Sequence, residues 1–189
     1  MECIKQTING NFDFGTEGTS TISRNGDLIG QMFLSYVLDD TGDIAYPVSN
    51  FGNAIIKNTE VEIGGQLIDR QDGRWMQMYT DLTEPNPSGN PYGPCPHQKL
   101  AGIGVGEINS GESSTVKYGK TYWIPFKFWF CRNPGLYLPL IALQYHEVKL
   151  KIELWQAEQC SQNNMKLKFK GKPDLWVNYM YLDTDERRR

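Results

Sequence analysis

The chain has 189 residues, 19 Lys and Arg against 22 Asp and Glu for a net charge of -3, and 12% aromatic residues. That length fits one domain burying about 70% of its unfolded surface without staples, and the slight acidity lacks the basic excess that phosphate binding by counterion release requires, which excludes direct nucleic-acid binding as a first reading. No apolar run reaches the roughly 20 residues of a membrane helix.

The start, MECIKQTING, has no charged, apolar and cleavage segments in series, so secretion is not expected. Cys3, Cys95, Cys131 and Cys160 are scattered without a C-x-x-C spacing and read as reduced thiols. Five Trp, ten Tyr and eight Phe, with little helical periodicity, suit the faces of β-sheets, where broad side chains pack across strands.

Residues 1–18 are polar around Phe12 and Phe14 and read as an entering N-terminal arm or a frayed first strand. Thr19 to Arg24 is β-branched and predicts a short strand, and Asn25-Gly26 is the strongest two-residue turn signal of the chain. In the strand that follows, Leu28, Met32, Leu34, Tyr36 and Leu38 form one apolar face. The other is mixed, with Ile29, Gln31, Phe33, Ser35 and Val37, which predicts a central strand covered on both sides. Asp39 to Asn53 reads as a loop. Thr59, Val61 and Ile63 alternate with Asn58, Glu60 and Glu62, Gly64-Gly65 closes a hairpin, and Gln66 to Asp69 is its short second arm.

The period then changes. Trp75, Met78, Tyr79 and Leu82 fall at i, i+3, i+4 and i+7 behind a capping Asp72, which predicts one helix, a lid whose apolar stripe covers an end or flank of the β-structure. Glu84 to Lys120 is irregular, with five prolines and seven glycines, and a loop of this length reads as a functional surface or a disordered segment. Phe126, Phe128 and Phe130 alternate with Lys127 as in a half-buried strand, Arg132-Asn133-Pro134-Gly135 reverses the chain, and Leu136 to Leu143 is apolar. Val148, Leu150, Ile152 and Leu154 then alternate with Glu147, Lys149, Lys151 and Glu153, so a one-residue slip would bury four charges. A polar hinge (156–164), a basic stretch (166–172) and an aromatic strand (175–182) follow. Asp183 to Glu186 has the acidic signature of a helix start. About eight short strands, one short helix and long loops describe an all-β sandwich, a jelly roll in preference to an immunoglobulin-like topology.

Catalytic constellations are not apparent. His146 heads an alternating strand beside Glu147 and reads as structural. Cys95-Pro96-His97 has no second ligand pair at a metal-site spacing. Gly102, Gly104 and Gly106 lack the helix that a phosphate loop needs. Asp39-Asp40 and Glu60/Glu62 read as solvated carboxylates, and Arg187-Arg188-Arg189 as a helix surface balanced by acidic neighbours. Asn86-Pro87-Ser88 is not a glycosylation sequon. No catalytic, cofactor-binding or metal-binding residue is assigned, and no cofactor is expected. Trp75 and Trp129 are taken as candidate core residues.

Four blocks carry a family resemblance. They are TISRNGDLI (21–29), VEIGGQLID (61–69), FWFCRNPGL (128–136) running on through LPLIALQYHEV (138–148), and YLDTDERRR (181–189). Occurring in this order, they resemble the major capsid proteins of the nucleocytoplasmic large DNA viruses. The resemblance implies a double jelly-roll subunit, three copies of which form a pseudo-hexagonal capsomer of an icosahedral shell. On that basis residues 19–189 are the first roll, cut before its last strand, behind an arm at 1–18. The implied partners are further copies of the chain, neighbouring capsomers, minor capsid proteins and, indirectly, the inner viral membrane. The implied location is the virion, after synthesis in the host cytoplasm. The competing reading is a lectin-like, glycan-binding jelly roll, for which Tyr92 is the one aromatic platform in the first half of the long loop. A cupin-type enzyme would need a ligand cluster that two separated histidines do not supply.

Overall fold

The computed structural model describes residues 1–39, 47, 48, 50–83, 119, 121–162 and 164–183. Its strands are β1 (Glu2–Gln6), β2 (Glu17–Thr21), β3 (Leu28–Val37), β4 (Ile56–Ile63), β5 (Gln66–Gln71), β6 (Thr121–Pro125), β7 (Leu138–Pro139), β8 (Val148–Leu154) and β9 (Asp174–Met180). The helices are α1 (Phe51–Ala54), α2 (Gly73–Thr83) and a single turn, α3 (Trp129–Arg132). Every strand pairing is antiparallel. A front sheet has the order β1-β9-β3-β6, with β7 also paired to β3, and a back sheet has the order β2-β8-β4-β5. The chain crosses between sheets at most steps, and only the β4–β5 hairpin and the β6-to-β7 step stay within one. This is the strand order of the jelly-roll sandwich.

Residues 2–6 are paired along their length with β9 and β2 begins at Glu17, so of the two readings of residues 1–18, an arm or a first strand, the strand is the one that fits them. In the front sheet β9 fills the place between β1 and β3.

β8 shows how the sequence sets the register. Val148, Leu150, Ile152 and Leu154 are buried, while Lys149, Lys151 and Glu153 face outward between β2 and β4. The front sheet answers with Met32, Leu34, Tyr36, Tyr122, Ile124, Leu175 and Val177, all buried on its inner face. At about 25 cal/mol per Å² of apolar area, this two-sided burial is the dominant stabilising term. Among the inward polar groups Thr59 is fully buried on β4, and its hydroxyl finds no hydrogen-bond partner among the described residues. Thr59→Val keeps the shape and removes the desolvated hydroxyl, so it should raise stability by about 1 kcal/mol in urea unfolding.

Other differences from expectation have local causes. Asn25-Gly26 does not close a hairpin, since β2 and β3 lie in different sheets and the pair sits in the crossover between them. On β3 a bulge opposite β9, between Ile29 and Met32, turns Ile29 inward and leaves Leu28 half-buried, which breaks the simple alternation. Gly64-Gly65 does close the β4–β5 hairpin, with φ of 60° and 81°, the doubly positive geometry of the tight turns that match strand twist.

The strand expected through Phe130 ends at Pro125. The Phe126 amide bonds back to Met32 and the chain then winds into α3, yet all three phenylalanines are buried, their rings stacked at 5.9 and 5.8 Å. Beyond it, the Asn133 side chain accepts from the Gly135 amide and seeds the predicted turn. Residues 84–118 and 120, almost all of the long loop, lie outside the described residues.

Helix α2 is where predicted and is capped by Asp72, whose carboxylate accepts from the Trp75 amide at 2.7 Å. It is rotated from the expected face. Gly73, Met76 and Thr80 are buried, whereas Met78 is 56% and Leu82 86% exposed. Gly73 fixes the rotation, since no side chain fits between the helix and α1. Trp75 and Trp129, taken as core candidates, are half-buried and pack only on the core's margin.

Candidate assembly surface

Among the described residues no group of three or more His, Cys, Asp or Glu is placed to hold a metal ion, and no helix is long and apolar enough to cross a membrane. His146 is exposed and lies against the Gly64 turn, its amide bonded to Leu143. Arg24 reaches the Leu143 and His146 carbonyls and ties the β2–β3 crossover to this loop. Cys95, His97, Tyr92, Asp40, the three loop glycines and Arg187 to Arg189 lie outside the described residues.

The thiols are unequal. Cys131 and Cys160 are buried, and burial pushes both up to about 12 from the ordinary 9.0, whereas Cys3 is exposed. Iodoacetamide at pH 8 should therefore label Cys3 in the native protein and reach Cys131 and Cys160 only after unfolding. Being raised in the folded state, the two buried thiols contribute stability that is full below pH 9 and drains as pH rises toward 12.

What the fold does build is two contrasting outer faces. On the back sheet, Glu60 pairs with Arg70 at 3.3 Å, Glu62 with Lys151 at 2.5 Å, and Glu153 with Lys57 at 2.6 Å. The Glu62 carboxylate raises the Lys151 ammonium above its usual range. Glu60 and Glu62 are thus members of an ion-pair lattice that leaves this wall hydrated.

The front sheet's outer face is aromatic. Register aligns Trp176, Phe33 and Pro125 in one row across β9, β3 and β6, with Trp123 5.5 Å from Trp176. A recess of about 310 Å³, lined in part by Phe33, Pro125, Tyr79 and Arg132, connects this row to α2. There Trp75 stacks on Tyr79 at 5.1 Å, and the Arg132 guanidinium lies over both rings, at 5.3 and 4.5 Å. Sequence reading passed over this surface, although Phe33 and Val37 on the mixed face of β3 were its signal.

The family model described as "Major capsid protein N-terminus" matches residues 1–183. The chain is 43% identical over 192 residues to the major capsid protein of Pyramimonas orientalis virus, covering all of this chain and 46% of that protein. It is 35% identical to the major capsid protein of Paramecium bursaria Chlorella virus 1, covering 41% of it. The chain therefore spans less than half the length of these relatives. Among solved structures it matches a chain of the PBCV-1 virus capsid with a TM-score of 0.75 and 33% identity, covering all of this chain and 43% of that one. It also shares its fold with the Faustovirus major capsid protein, with a TM-score of 0.71 at 11% identity over 99% of this chain and 55% of the other. The strand order, the four sequence blocks and these matches agree, and the chain belongs to the major capsid protein family of the nucleocytoplasmic large DNA viruses, matching its N-terminal region.

Proposed function

We propose that this chain is the first roll of a double jelly-roll capsid subunit, a passive building block of an icosahedral shell, with residues 2–180 supplying all eight principal strands of that roll. The observation that carries the reading is the coincidence of the complete strand order with the span matched by the family model. Two packed sheets give a stiff wall whose loops can be varied without disturbing it. Three subunits, each with two rolls, then make a pseudo-hexagonal unit, and many modest contacts of about 1,600 Å² close the shell. Partners on this reading are other copies of the subunit, minor capsid proteins and, indirectly, an inner membrane. The protein is made in the host cytoplasm and resides in the virion.

The test is to express the whole polypeptide and image it by negative-stain electron microscopy, alongside mass spectrometry of purified particles. Threefold units with a hexagonal outline, and the chain among the most abundant virion proteins, are expected. A monomer absent from particles would overturn the reading, and selective capture on a glycan array by such a monomer would favour the lectin-like alternative.

A further inference from the structure

The outward faces of an ordinary sandwich are polar, and here one carries an aromatic patch. Phe33, Val37, Trp123, Pro125, Trp176 and Met180 lie on or beside one outward face, each half-buried before any partner is added. Lys5 on β1 and Asp174 and Asn178 on β9 share its outward side with Trp176. The Trp176 indole N–H donates to Ser35 Oγ at 3.1 Å, and charge stands at the margin, where Lys5 pairs with Asp174 at 2.8 Å. An apolar centre with a polar rim is the anatomy of an interface. The recess beside Phe33 and Pro125 is large enough to receive a side chain from whatever packs there.

We propose that this aromatic front face seats the second roll of the same polypeptide, while the ion-paired back face meets water and neighbouring subunits. The proposal rests on the double-roll reading. Three observations choose this occupant over a second copy of the chain. First, the relatives are more than twice the length this chain covers, so they contain a segment large enough to bury such a face. Second, contacts around a threefold are head-to-tail and join different faces. Setting the aromatic face on the back-sheet lattice would strip water from Glu60, Glu62, Lys151 and Glu153 without new partners, which is costly. Third, a contact made once within a chain can be apolar throughout, because the surface is never left bare in a subunit awaiting assembly.

The test places p-benzoylphenylalanine at position 123, at 176 or, as a reference on the charged face, at 149 of the full-length polypeptide. Irradiation is carried out at concentrations below and above capsomer assembly, and products are mapped by mass spectrometry. The expected result is an intrachain link from 123 and 176 to a peptide C-terminal to residue 189, already present in the monomer and several-fold above the yield from 149. Links that appear only between chains on assembly would overturn the assignment in favour of a second copy, and no link in either state would overturn it in favour of a solvated face. Using two independent positions guards against one variant misfolding. A polypeptide without a second strand-rich half would sink the double-roll reading itself, an outcome distinct from a second half that docks elsewhere.

Discussion

Replacing Gly73 with alanine should cost more than about 3 kcal/mol, read as a fall in the urea midpoint or as loss of folded protein. A methyl group on this residue would lie 2.0 Å from the Asn53 carbonyl oxygen and 2.7 Å from that of Ile56. Both obstacles are backbone, so neither can rotate away. Helix α2 would have to lift off α1 and β4, pulling buried Met76 and Thr80 with it and breaking the bond between Asn53 and Gln77 at 2.8 Å. Gly65→Ala is the control. Its φ of 81° disfavours a side chain, but nothing lies within 4 Å, so a cost of about 1–2 kcal/mol is expected from backbone strain alone. Equal losses in the two variants would show that Gly73 is not the contact point of the helix.

The second large effect is expected at Phe128. It is fully buried and sits between Phe126 and Phe130, in stacked contact with both. Phe128→Ala should cost about 3–5 kcal/mol, the lost transfer energy plus a cavity that this stretch, pinned by the Phe126 amide to Met32, cannot collapse to fill. Phe128→Leu should recover more than half of that. Thermal unfolding of the two variants measures both, and an alanine variant as stable as the parent would remove Phe128 from the core.

These two sites also show what was legible in the sequence. That Phe126, Phe128 and Phe130 are buried could be read from their spacing, but the strand conformation inferred from it was wrong. Alternate residues can all face a core from a strand's end followed by a helical turn, and period two alone does not separate the cases. β8 was read correctly because its opposite face is charged, which leaves one register without penalty. The helix was legible in its cap and length. Its buried side was not, because Trp75, Met78, Tyr79 and Leu82 form the stronger apolar stripe, and only the close approach at Gly73 reveals that a smaller set packs inward. The same bias hid the front face: Trp123 and Trp176 were credited to sheet packing in general, while the register that lines them up depends on partners more than 50 residues apart.

The pairing of β1 with β9 has a consequence for how the protein is made. Since β9 lies between β1 and β3, a nascent chain emerging from the ribosome carries two strands with bare edges facing an empty slot until nearly the last residues of this region are translated. Such edges invite pairing with the wrong chain. Ribosome-stalled chains ending before Asp174 should accordingly be cut rapidly by a protease and retained by chaperones, and those carrying after Met180 a linker long enough to clear the exit tunnel should resist both.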